Sequence, residues 1–464
     1  MSARHGPKAA PETGGYRERG ARLLNQAALA ARAAYVLRGN DLGHMTTAAP
    51  ALYPHMWSWD AAFVAIGLAT VNLDRAILEL DTLLAAQWST GMLPHIVFAP
   101  GDLDYFPGPN RWGCLESGAP APGQPPTSGI CQPPVHAIAV QRIVEAGHRG
   151  ERSERRAADA FLRRSWKPLL AWHRWLATAR DPDGDGLITV HHGWESGMDN
   201  SPRWDEPYSR VRVGPGLPAY QRRDVGVVGD ATQRPSDAEY DRYLWLVEQM
   251  RRVGYDDALV RERVDFAVQD AFVSAIMSMA CAVLAELGED AGMPAADIAE
   301  LLAWAQLYSA GVAWTVDPAT GLARDFDLRT RSWLSAPTVA GFAPLLCGGL
   351  DHAAERRLLA LLNSPTWAGD PRLVAALPPS TSPASPAFRP REYWRGPLWP
   401  VVAWLFSWAF ARRGWANRAA ILREEGMRLV ADGHFAEYYE PFTGKPLGSM
   451  RQSWTAAAVL DWLC

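Results

Sequence analysis

The stretch His192-Gly-Trp-Glu-Ser-Gly-Met-Asp-Asn-Ser-Pro-Arg-Trp-Asp205 sets two indoles around carboxyl and amide groups, with two glycines where the backbone can bend. Flat aromatic faces suit the C–H surfaces of a polyol, and carboxylates and amides suit its hydroxyls. A carboxylic acid held among aromatics has its pKa pushed up, because desolvation penalises the anion. Such an acid stays protonated near neutral pH and can act as a general acid. Asp199 lies midway between Trp194 and Trp204 and is the candidate; Glu195, Asp205 and Glu206 compete for the role. The plainer reading makes Asp199-Asn200-Ser201-Pro202 a turn or a helix N-cap.

Outward from this stretch the chain reads as helix after helix. Apolar residues recur at helical spacing over about 18–38, 59–72, 74–89, 135–148, 154–178, 236–253, 263–287, 294–313, 352–363, 399–413, 415–432 and 452–463. Strand signals are short: Leu187–Val190, Gly311–Val316 and Ile96–Phe98. There is no βαβ alternation, no Gly-rich phosphate loop after a strand and no repeat of fixed period. Roughly a dozen helices is the number that an α/α toroid of six hairpins requires. Long Pro/Gly-rich connections at 100–134, 181–235 and 364–398 carry Trp, Asp, Glu, Tyr and Arg, and read as active-site walls. The 211–235 stretch is expected to be less ordered and to serve as a lid.

Composition narrows the class. A chain of 464 residues, 48% hydrophobic, can bury a large core, and closed toroids reach this length as single units. A net charge of −4 gives no electrostatic case for nucleic acid or an anionic membrane. No unbroken run of about 18 apolar residues predicts a membrane span. The first 20 residues lack the apolar core of a signal peptide and read as a mobile tail, with 21–464 as one domain. The five cysteines are scattered, without a CxxC or Cys/His cluster, which fits free thiols in a reducing cytoplasm and no structural zinc. Asp181-Pro-Asp-Gly-Asp-Gly186 mimics the start of a calcium loop. Its twelfth position is His192 where a bidentate Glu belongs, so it reads as a tight turn.

The 21 tryptophans are the unusual number. Several fall in helical patterns and read as core. Trp57, Trp59, Trp112, Trp194, Trp204, Trp394 and Trp399 sit beside Pro, Gly or charged residues, in expected loops, where indoles near carboxylates suggest a pocket for a sugar. Asp60 either caps the first turn of an apolar helix or accepts from a pair of hydroxyls beside Tyr53, Trp57 and Trp59. Tyr105, after Asp104, and Gln132 are neutral partners for hydroxyls, and His95 could polarise one. Arg391 and Arg395 flank Tyr393 and Trp394. Glu437 and Glu440 are alternative bases in the segment before Gln452.

Six motifs in order, YPHMWSWD, LPHIVF, CQPPVHA, GWESGMDNSPRWD, YWRGPLWP and EYYEPFTG, resemble glycoside hydrolase family sixty-three over about residues 45–464. Within it they look like the bacterial mannosylglycerate and glucosylglycerate hydrolases, and the central motif is similar to that of trehalases. The resemblance implies an all-α (α/α)6 barrel with long active-site loops. It also implies inverting hydrolysis of α-glucosylglycerate or α-mannosylglycerate to sugar and glycerate, with neither metal nor cofactor. Through the family motif the general acid falls on Asp199 and the general base on Glu437. The resemblance also places Tyr53, Trp57, Ser58, Trp59, Asp60, Tyr105, Gln132, Gly197, Arg234, Tyr393 and Trp394 around the substrate. Tyr53, Tyr240 and Gln452 fall near the glycerate end, with Arg234 the candidate for its carboxylate. The partner implied is a small glycoside; homo-oligomerisation is left open. A trehalase-like or oligosaccharide α-glucosidase, a sugar-binding toroid without hydrolysis, and a paired-histidine epimerase stand as the alternatives.

Overall fold

The computed structural model describes residues 13–101 and 105–464. Twelve helices build its frame: α1 (Thr13–Asn40), α2 (Ser58–Leu68), α3 (Leu73–Ala85), α4 (His136–Arg149), α5 (Arg152–Trp175), α6 (Ala271–Ala291), α7 (Ala295–Trp314), α8 (Ala343–Cys347), α9 (His352–Leu362), α10 (Pro400–Arg412), α11 (Ala416–Leu429) and α12 (Ser453–Leu463). The even-numbered helices form an inner ring. α2 packs on α4, α4 on α6, α6 on α8, α8 on α10, α10 on α12, and α12 closes back on α2. Each odd-numbered helix covers one inner helix from outside: α3 on α2, α5 on α4, α7 on α6, α9 on α8, α11 on α10, and α1 on α12. This is an (α/α)6 toroid, closed by the first and last hairpin partners meeting.

The sequence sorts helices between the rings by how much of their surface is apolar. Every residue of α2 is buried, which only an inner helix tolerates. α5 buries Ala158, Phe161, Leu162, Ser165, Trp166, Leu169 and Leu170 along one stripe and keeps its arginines outside. α6 is long and apolar enough to cross a bilayer by composition alone, yet it is enclosed as an inner helix. The tightest inner contact is α2 on α12, where a Cβ on Gly67 would stand 2.4 Å from Ala457 Cα.

Three expected boundaries move. Helix α1 takes in residues 13–20 of the expected N-terminal tail, and residues 1–12 of that tail lie outside the described residues. The expected helix over 263–287 is divided. Arg263 ends one short helix, Val268–Gln269 forms a strand, and Asp270 caps α6 by accepting from Phe272 N and Val273 N. Gly311–Val316 is no strand, because Gly311–Trp314 is the last turn of α7. Its glycine is there for close approach: a Cβ on Gly311 would lie 2.2 Å from the Gly186 carbonyl oxygen.

Short antiparallel ladders sit at one end of the ring and aim the loops. β1 (Met56–Trp57) pairs with β2 (Ile96–Val97). β3 (Thr189–Val190), β4 (Val268–Gln269), β5 (Asp325–Asp327) and β6 (Ser332–Leu334) form a four-stranded sheet in that order. β7 (Tyr438–Tyr439) pairs with β8 (Pro446–Leu447), and a bridge from Leu398 joins β7. The expected lid region holds two short helices, Asp224–Val228 and Ala231–Gln233, before the capping box of Ser236 and Glu239 starts the loop helix Asp237–Arg252. The calcium-like loop is a turn in which the Asp181 carboxylate accepts from Asp185 N and Gly186 N.

Candidate active site

The ladders deliver their loops to one cavity. β1 hands over Tyr53, Trp57, Trp59 and Asp60; β3 leads into Gly197 and Asp199; β7 begins directly after Glu437. Tyr105, Gln132, Arg234, Tyr240, Tyr393 and Gln452 complete the expected residues that line it. Two do not. The Ser58 hydroxyl is buried against His136 Nε2 at 3.0 Å, and Trp394 lies under the wall, stacked on Trp399 with ring centroids 3.6 Å apart. Asp104 lies outside the described residues.

Trp194, one of the loop indoles expected at a sugar pocket, lines the cavity, as do Tyr243 and Trp454, which the sequence left without an assigned role. Tyr243 was findable as the residue one helical turn after Tyr240. Trp454 follows Gln452 into the first turn of α12.

Asp199 owes its position to packing around its segment. Gly197 has φ +72°, and a Cβ there would stand 2.6 Å from the Trp59 ring. Asn200 accepts from Trp394 N at 3.0 Å and donates to Glu392, which docks the acid segment on the 391–400 segment. Tyr393 next door holds φ +33°, a left-handed conformation that costs about 1–3 kcal/mol and is kept by such fixed neighbours. Its hydroxyl stands 3.2 Å from that of Tyr53 and acts to lower both Asp199 and Glu437.

The rival carboxylates are committed elsewhere. Glu195 is buried against Arg180 at 2.7 Å and accepts from His191 N. Asp205 pairs with Arg395 at 2.7 Å near the surface. Glu206 is largely exposed. Glu440 closes a turn by accepting from Thr443 N.

Burial dominates the electrostatics. It pushes the Asp199 carboxyl up to about 7, against the Arg234 guanidinium, and the nearby Glu437 pushes the same way. Burial also raises Glu437, opposed by Arg234, by Ser449 N at 3.0 Å and by the Tyr53 hydroxyl at 3.0 Å. Asp60 lies well above the ordinary carboxylate range through burial and the charges of Glu437 and Asp199. Gln452 donates to it at 3.2 Å. His95 is pushed down to about 3 by burial, so its imidazole is neutral. Among the described residues no group of three or more His, Cys, Asp or Glu is placed to hold a metal.

A helical toroid whose cavity joins the carboxyls of Asp60, Asp199 and Glu437 to indoles, tyrosines and one arginine defines a glycoside hydrolase of the (α/α)6 class. The chain belongs to the family described as mannosylglycerate hydrolase MGH1-like glycoside hydrolase domain, whose model matches residues 53–455. It is 63% identical to the glucosylglycerate hydrolase of Mycolicibacterium hassiacum, over 94% of this chain and 97% of that one. It is 40% identical to the mannosylglycerate hydrolase of Thermus thermophilus, over 93% and 99% of the two chains. The crystal structure of a GH63 mannosylglycerate hydrolase from Thermus thermophilus in complex with Tris superposes with a TM-score of 0.85 at 39% identity, covering 94% of this chain and 99% of that one.

Proposed function

We propose that this chain hydrolyses α-glucosylglycerate, with α-mannosylglycerate as the competing substrate, to sugar and glycerate with inversion at the anomeric carbon. The observation that carries the reading is the pair of carboxyls, Asp199 and Glu437, sharing one cavity with Arg234. Asp199, held up to about 7, protonates the glycosidic oxygen as general acid. Glu437, held by the Tyr53 hydroxyl and Ser449 N, takes a proton from the attacking water on the opposite face. Trp57, Trp59 and Trp194 offer ring faces to the sugar, and Asp60 and Gln132 its hydroxyl partners. Arg234, with Tyr53 and Tyr240 beside it, offers the cation and neutral donors that a glycerate carboxylate needs.

The 63% identity to a glucosylglycerate hydrolase favours glucose as the sugar. The setting proposed is cytoplasmic turnover of a compatible solute. Paired-histidine epimerisation finds no support, since His136 is tied to Ser58 behind the cavity wall and His95 is left without a histidine partner in the lining.

The test is proton NMR of the purified protein with α-glucosylglycerate, α-mannosylglycerate and trehalose in separate tubes. Release of the β-sugar from a glycerate glycoside is the expected result and names the substrate. Release of the α-sugar overturns inversion, and turnover of trehalose alone moves the reading to a trehalase-like α-glucosidase.

A further inference from the structure

Asp224 lies in the 211–235 segment, outside the cavity lining, yet its carboxylate is nearly enclosed and clamps two arginines. Arg222 reaches it through two nitrogens, Nε to Oδ1 at 3.0 Å and Nη2 to Oδ2 at 2.7 Å. Arg234 donates to the same Oδ2 from Nε at 3.1 Å. The other edge of Arg234 points into the site, where Nη1 donates to the Tyr53 hydroxyl at 2.9 Å, and that hydroxyl donates to Glu437 Oε1. The segment is itself pinned: Tyr220 stacks on Phe106 with centroids 5.4 Å apart, and Arg222 lies over the Tyr240 ring at 4.6 Å. A guanidinium is a rigid planar fork, so fixing its Nε edge fixes where its Nη atoms aim.

We propose that Asp224 is a positioning residue for catalysis, holding the Arg234 fork so that it orients Tyr53 on the base Glu437 and keeps its positive charge beside both carboxyls. The proposal rests on the acid and base assignment above. Arg234 faces Tyr53, Tyr393, Tyr438, Glu437, Asp199 and Asp224. Asp224 faces Arg222 and Arg234, and its charge acts on Tyr105 and Tyr240 in the neighbouring walls. Because Arg234 lowers both Asp199 and Glu437, an Arg234 released from Asp224 lets both rise.

The experiment is the pH–rate profile of Asp224→Asn on α-glucosylglycerate, with thermal melting as the check on folding. Expected is a fall in kcat of about 10- to 100-fold, the scale of a misplaced catalytic group, with both limbs of the profile moved to higher pH. Asp224→Glu is expected to restore most of both. On an Arg234→Gln background, Asp224→Asn adds no further shift. A profile that keeps its limbs, or a shift that adds fully to that of Arg234→Gln, overturns the proposal. Asp224→Ser serves where Asp224→Asn does not melt cooperatively; if neither folds, Asp224 serves the fold and the proposal falls. Asp199→Asn and Glu437→Gln are run alongside. Near-normal turnover by either defeats the acid and base assignment itself, whereas their inactivity beside an unmoved Asp224→Asn profile defeats the positioning role alone.

Discussion

Asp199 joins two properties that are separately measurable. In the proposed role of general acid it must be protonated, so kcat/KM is expected to fall as pH rises through about 7. The falling limb belongs to the coupled pair, since Glu437 raises Asp199. Asp199→Asn should lower kcat by at least about 10²-fold. Near-normal turnover measured at saturating substrate would remove it from the acid role. The same shift acts on stability. The folded carboxyl, at about 7, holds its proton more tightly than the unfolded one, whose ordinary value is about 3.9. The stability linked to that proton is full below the unfolded pKa and lost as pH rises through the folded value. Asp199→Asn abolishes the loss, so the variant is expected to melt higher than the parent chain at pH 8 and to lose that advantage at pH 4. An equal Tm difference at both pH values would contradict the buried, protonated acid.

Among the elements, the buried Arg203 ties the Asp199 segment to the barrel. Arg203 Nη1 donates to Asp270 and to Asp325, each at 3.1 Å, and its guanidinium lies over Trp204 at 4.1 Å. Asp270 is the N-cap of α6 and Asp325 opens β5, so three elements meet on this side chain. Arg203→Met strands two buried carboxylates and is expected to cost about 3–5 kcal/mol, the scale of a broken buried pair. Urea unfolding measures it, and a cost under about 1 kcal/mol would mean that the cluster does not hold the segment.

Across the whole molecule, the ring closes where α12 meets α2, and the fit leaves no space at Gly67. Gly67→Ala is expected to destabilise by about 1–3 kcal/mol through overpacking. Activity should fall with it, because α2 carries Trp59 and Asp60 and Gln452 leads into α12. Gly123→Ala is the control: the added methyl meets nothing within 4 Å, and the change should stay within about 0.5 kcal/mol. Equal Tm values for the two variants would show that the α2–α12 contact is looser than its geometry.

Local rules reach far into this chain. Helical periodicity marks eleven of the twelve ring helices, because an apolar stripe or an all-apolar run is written in consecutive residues. The exception, α8, is a single five-residue turn too short to leave a period. The Ser236 and Glu239 capping box and the turn at Asp181 are equally local. Indoles flanking Asp199 mark a desolvated acid, and order of motifs adds Glu437. What periodicity could not supply is ring closure, since residues as far apart as Gly67 and Ala457 meet only after the whole toroid folds. Periodicity also could not separate Asp199 from Glu195, Asp205 and Glu206, which are composed alike. Their distant partners decide: Arg180 takes Glu195, Arg395 takes Asp205, and solvent takes Glu206. The same holds for Ser58 and Trp394, turned into the wall by His136 and Trp399, and for Asp224, whose link to Glu437 runs through Arg234 and Tyr53. Residue type and spacing determine which groups can do the chemistry. Charge pairing and burial across the closed ring determine which of them are left in the cavity to do it.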